Sequence, residues 1–247
     1  MTADPLAPLM QLPGIAAAVD QARDALGRVH RHRVNLRGWP VTAAEAALRA
    51  ARASSVLDGG PRRLGESGAT EPILAGALRV AQALEGGETN LVAVWHRAPL
   101  QALARLHTLA VADLVDADRL GRPRTDAEVG PRLELLADVV SGGTRAPVPV
   151  VAAVVHGELL TLAPFGSGDG VVARAVSRLV TIAGGLDPHG LGVPEVAWMR
   201  RAADYRNAAR GFATGTRDGV AAWLKICCEA LHDGAREALS IAESLSR

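Results

Sequence analysis

Ala163-Pro164-Phe165-Gly166-Ser167-Gly168-Asp169-Gly170-Val171-Val172-Ala173-Arg174 is the stretch on which the reading of this chain turns. Glycines at 166, 168 and 170 run straight into a segment whose Val172, Val176, Leu179 and Val180 fall on one helical face. Glycines before a helix N-terminus let backbone N–H groups converge on a point where the helix dipole already favours an anion. Gly168, Asp169, Gly170 and Arg174 are therefore candidates for an anion or nucleotide cradle. The alternative is a tight helix-to-helix turn in which Gly supplies positive φ, and one Gly-rich loop does not decide between the two.

Outward from this turn the pattern is helical. Trp223, Ile226, Cys227, Ala230 and Leu231 recur at helical offsets, as do Leu100, Leu103, His107, Ala110 and Leu114. VPVVAAVVHGELL, from Val148, reads as a buried helix opened by Pro147 or Pro149 rather than as a strand. Thr42 with Glu45 three residues on predicts a capping box. Gly and Pro clusters at 58–68, 85–89, 120–131, 141–147, 164–170 and 184–194 mark the boundaries of about ten helices. The expectation is an all-α chain forming a single domain over 1–247, with residues 1–12 disordered or extended.

Composition narrows the function. At 247 residues with 49% hydrophobic and 21% charged side chains, dominant disorder is excluded. The 27 bases and 26 acids leave a net charge of +1, no global field for nucleic acid or an anionic membrane. No apolar run approaches the roughly 18 residues of a membrane span, and the N-terminus lacks the pattern of a signal, so a cytoplasmic location is expected. Cys227 and Cys228 are adjacent, which suits neither a disulfide framework nor a CxxC site and predicts reduced core thiols.

The turn resembles the signature of the Fic (Fido-fold) family, H-P-F-x-D-G-N-G-R-x-x-R. Pro164, Phe165, Gly168, Gly170 and Arg174 match it. Upstream, Ser54-Ser55-Val56-Leu57-Asp58-Gly59 looks like the family's inhibitory clasp, S-S-x-I-E-G. Leu106-His107 resembles its "L-H" helix, and His156 the His of the H-x-x-F that leads into the signature. Tyr205 and Trp223 resemble the Tyr and Trp of the helices that follow. The resemblance covers roughly residues 40–232 and implies a Fido-like helical fold. It also implies that the clasp, Ser54, Asp58 and Gly59, meets the signature through an Asp58–Arg174 pair, with Ser54 satisfying backbone groups nearby.

The departures point away from the family's reaction. The signature His, a general base for a target hydroxyl, is Ala163, so no catalytic residue is assigned. Ser167 stands where an acidic residue holds Mg²⁺, Asp169 replaces an Asn that holds phosphates, and Val171 replaces a phosphate-binding Arg. Between the "L-H" helix and the signature, GRPRTDAEVGPRLELL passes from loop to helix without the two short strands of the target-docking β-hairpin flap. The expectation is a degenerate Fic-like pseudoenzyme deficient in AMPylation, acting as a non-catalytic binding or regulatory protein for a protein partner. It has no certain cofactor: ATP or another nucleotide is the candidate, and Mg²⁺ is disfavoured. An enzyme of altered chemistry at the Gly168/Gly170 turn, of nucleotidyl- or phosphoryl-transfer type, and a structural interaction module with a closed pocket are the alternatives. A homo-oligomer is compatible with either.

Other residues carry less. The basic run Arg28, His30, Arg31, His32, Arg33 and Arg37 beside Trp39 reads first as a solvated helix end complementing the helix dipole. The histidines form no H-E-x-x-H or other metal motif, and His107 and His156 fit hydrogen-bonded core positions. Neither a G-x-S-x-G elbow nor a G-x-G-x-x-G after a strand is present.

Overall fold

The structure is a computed structural model describing residues 4–62, 71–85 and 90–245. Among these, eleven α-helices succeed one another and no strand occurs: α1 (Ile15–Arg31), α2 (Asn35–Leu57), α3 (Pro72–Leu84), α4 (Leu91–Arg97), α5 (Pro99–Val111), α6 (Val129–Asp138), α7 (Val148–Leu162), α8 (Asp169–Ala183), α9 (Pro194–Arg200), α10 (Ala202–Ala213) and α11 (Arg217–Ser244). The all-α expectation and the missing hairpin are met: the segment between α5 and α6 holds one short 3-10 turn, Ala117–Arg119. Pro147 caps α7 at its N-terminus, as the Pro-rich entry predicts.

α8 is the axis of the molecule. Every residue from Val171 to Thr181 is buried, because α7, α5, α4, α3 and α2 surround it. Arg174, Arg178 and Thr181, buried on it, each have a hydrogen-bond partner. Arg174 reaches the end of α2, Thr181 Oγ1 donates to the Arg178 carbonyl at 2.8 Å, and Arg178 meets the Gly192 carbonyl at 2.8 Å and the Glu195 carboxylate at 3.4 Å. One apolar cluster joins α3, α4, α5, α7 and α8 around Leu103, Leu106, Phe165 and Leu179. A second packs α1, α7, α9, α10 and α11 around Ile15, Trp198, Tyr205 and Trp223. Two buried free thiols, Cys227 and Cys228, lie in the second, and burial pushes both up, Cys228 to about 12.

Three local expectations are corrected. Thr42 does not cap a helix: α2 begins seven residues earlier, and Thr42 is buried within it, its hydroxyl donating to Asn35 Oδ1 at 2.8 Å. Asn35 in turn donates to the Val29 carbonyl, tying the end of α1 to the start of α2, and the helix runs on through Pro40. Within 1–12, Ala7–Gln11 forms a 3-10 turn. Asp4 holds it down, accepting from Thr144 Oγ1 and the Arg145 amide, each at 2.7 Å. On α5, Leu103, His107 and Ala110 are buried as expected, but Leu100 and Leu114 are exposed, Leu114 lying past the helix end. Of the predicted loops, parts of 58–68 and 85–89 lie outside the described residues. No described helix is long and apolar enough to cross a membrane.

Candidate functional site

α7 ends where Ala163 enters the left-handed region at φ 44°, the one described non-Gly residue to do so. Gly166 (φ 72°) and Gly168 (φ 64°) complete the reversal, and Gly168 is the N-cap of α8. Here glycine is required twice over, for at Gly168 a Cβ would also strike Val111. Phe165 is buried and stacks on the His107 ring at 3.9 Å between centroids. His107 Nδ1 accepts from the Gly121 amide at 3.0 Å, and burial lowers its pKa to about 4, keeping the ring neutral.

The clasp and the signature meet as the resemblance implies. Arg174 is 2% exposed, and its Nη2 lies 3.0 Å from Asp58 Oδ2. The part of Ser54 differs from the expectation, since it binds the guanidinium itself: its hydroxyl accepts from Nε at 2.9 Å and its carbonyl from Nη2 at 3.0 Å. Beside the guanidinium, and electrostatically coupled to it, the Tyr205 hydroxyl lies 2.8 Å from His156 Nε2. Trp198 and Trp223 pack edge-on against the His156 ring, so the residues that resemble family positions 156, 205 and 223 form one buried aromatic group behind Arg174. Burial drives the Tyr205 hydroxyl up, with Arg174 opposing, and drives the His156 imidazole down, with Arg174 adding to it.

Asp58 closes the cradle from the other side. It is the C-cap of α2, and Gly59 (φ 82°) turns the chain away immediately after it. Its carboxylate lies so close over Gly170 that any Cβ there would collide with it. Asp169 faces inward and accepts from the Phe165 amide at 2.9 Å. Burial raises the pKa of this carboxyl, while the Phe165 and Gly166 amides pull it down. A cavity of about 340 Å³ remains over the turn, lined by Asp58, Ser167, Asp169, Gly170, Ile73 and Leu114 among others. Val171 is also on its wall yet 4% exposed, and the Ser167 hydroxyl is buried without a hydrogen-bond partner. The cavity thus presents two carboxylates, and Arg174, buried beneath Asp58, already has its partners. Among the described residues no group of three His, Cys, Asp or Glu side chains is placed to hold a metal ion.

One residue of this site carries no signal in the sequence. Arg124, in the loop before α6, donates from Nε to the Ala163 carbonyl at 3.0 Å and from Nη2 to the Leu162 carbonyl at 2.9 Å. Its own amide donates to the Pro164 carbonyl at 2.7 Å, and Asp126 holds its Nη1. It satisfies the last carbonyls of α7, which would otherwise have no intrahelical partner.

Compared with known proteins, no family model and no curated protein matches the chain. Solved structures do. A Fic family protein from Desulfovibrio desulfuricans G20 superposes with a TM-score of 0.64 at 20% identity, over 92% of this chain and 74% of that one. Fic-1 (residues 134–508) from C. elegans does so with a TM-score of 0.68 at 16% identity, over 95% and 73%. The chain has the Fic (Fido) fold. Ala163–Arg174 and the clasp residues Ser54 and Asp58 come together within that fold in the geometry just described.

Proposed function

We propose that this chain is a Fic-fold protein without protein-AMPylating activity that works as a cytoplasmic binding or regulatory protein. The observation that carries this reading is the Asp58 carboxylate seated between Arg174 and Gly170, where the chain fills its own anion cradle. A nucleotide phosphate entering the turn would meet Asp58 and Asp169 and, among the described residues lining the cavity, no cation, and like charges repel strongly in a partly buried site. Ala163 offers no proton acceptor, and its carbonyl is taken by Arg124. Loss of a general base alone lowers a rate about 10²- to 10⁴-fold, and absent charge stabilisation multiplies that. The residues present therefore do not suit a Mg²⁺-nucleotide at the turn, and no chemical step is assigned to it.

The test is transfer from ATP labelled at the α-phosphate, with Mg²⁺, to the full chain and to added proteins. Neither the native chain nor Asp58→Ala, which lifts the clasp, is expected to transfer label. Label that depends on Asp169 would instead support an enzyme of altered chemistry.

A further inference from the structure

On the face built by α2, α9 and α11, two adjoining cavities of about 410 and 220 Å³, neither lined by a residue of the signature, share Arg200 and Glu237 in their walls. Arg49, Arg52 and Arg62 line the smaller, while Arg236, Arg201 and Asp233 line the larger. Six arginines thus surround two carboxylates in a concave surface of a chain whose net charge is only +1.

The arginines fall into two kinds. Glu237, its side chain 14% exposed, takes Arg49 Nη1 at 2.7 Å and Arg200 Nη2 at 3.1 Å, and Glu45 takes Arg49 Nε at 2.7 Å. Arg201 is held by Glu229 at 3.1 Å and Asp233 at 3.5 Å. These guanidiniums are fixed and largely compensated. Arg52, Arg62 and Arg236 have no carboxylate at ion-pair distance among the described residues, and Arg62 reaches only the Met199 sulfur, at 3.6 Å. Three uncompensated forks therefore border cavities whose remaining cations are paired with Glu237, Glu45, Glu229 and Asp233.

A guanidinium fork matches the geometry of phosphate oxygens and forms paired, charge-assisted bonds with them. A single monoanion would leave most of this excess charge unanswered, whereas linked phosphates carry several charges that can be shared between the Arg52 and Arg62 side of one cavity and Arg236 in the adjoining one. We propose that the groove binds a soluble oligophosphate, free or esterified, through Arg52, Arg62 and Arg236. It shares no lining residue with the cavity over the signature turn, so it stands or falls independently of the function proposed there.

The test is thermal melting and titration calorimetry of the full chain with inorganic tripolyphosphate, against sodium sulfate at matched ionic strength. Tripolyphosphate is expected to raise the melting temperature above sulfate, with affinity falling about tenfold for each guanidinium lost in Arg52→Glu and Arg236→Glu. Arg52→Gln with Arg236→Gln, which removes charge without reversing it, keeps the test open should the Glu variants not fold. ATP added in a parallel arm separates a free oligophosphate from an esterified one by which binds more tightly. A shift no larger than that of sulfate, or one undiminished in both pairs of variants, would overturn the proposal.

Discussion

Burying a guanidinium costs several kcal/mol unless its donors are all taken up. Arg174 offsets that cost with Ser54 Oγ, the Ser54 carbonyl and the Asp58 carboxylate, all from α2 and its C-cap. Arg174→Ala is expected to lower stability by about 3 kcal/mol, because it leaves a cavity and removes the partner of the Ser54 carbonyl and of the Asp58 carboxylate. Arg174→Met, which keeps most of the volume without the charge, should lose less; denaturant unfolding of both variants checks the order. An unchanged melting temperature for Arg174→Ala would remove the clasp from the account.

The buried histidines predict a pH dependence of definite sign. His107 titrates near 4 in the folded chain, below its ordinary value, and His156 is lowered in the same direction, both chiefly by burial. Between that folded value and about 6.5 the unfolded chain binds more protons than the folded one, so stability is lost as pH falls through this window. The slope approaches about 1.4 kcal/mol per pH unit for each such His. Urea unfolding at pH 7.5 and 5.5 should show the lower midpoint at 5.5, and His107→Asn should flatten the difference while lowering stability at both.

At the scale of elements, α7, the glycine turn and α8 form a hairpin whose bend depends on a residue outside it. Arg124 binds the carbonyls of Leu162 and Ala163 across 38 and 39 residues of sequence. Arg124→Ala is expected to cost about 1–3 kcal/mol through unsatisfied carbonyls and to speed hydrogen exchange at the Phe165 and Gly166 amides, while leaving α11 unchanged. Nothing in GRPRT distinguishes Arg124 from Arg122, because its partners are backbone carbonyls that any sequence supplies. The hairpin helices themselves are legible, since the glycines, Pro147 and the apolar spacing each act locally. The start of α2 is not: Thr42 and Pro40 carry the local signature of a helix entrance, and it is overridden by the side-chain relay from Thr42 through Asn35 to the Val29 carbonyl at the end of α1.

At the scale of the whole molecule, the helical architecture follows from periodicity and the Gly-Pro punctuation, whereas the arrangement around α8 does not. Polar residues on a fully buried helix look like surface positions in the sequence; Arg178 joins the Gly192 carbonyl and Glu195 only once α9 has docked. The candidate site was legible as two separated motifs, Ser54–Gly59 and Ala163–Arg174, because each keeps recognisable residues. What the spacing could not convey was that Asp58 lies over Gly170, leaving a cavity with carboxylates where a phosphate site would need cations.

That occupancy is the central claim, and a crystal structure of the full chain grown with excess ATP and Mg²⁺ tests it most directly. The Asp58 carboxylate is expected still bonded to Arg174, with no phosphate on the Gly168–Gly170 turn. Density for nucleotide phosphates on that turn, with Asp58 displaced from Arg174, would contradict it.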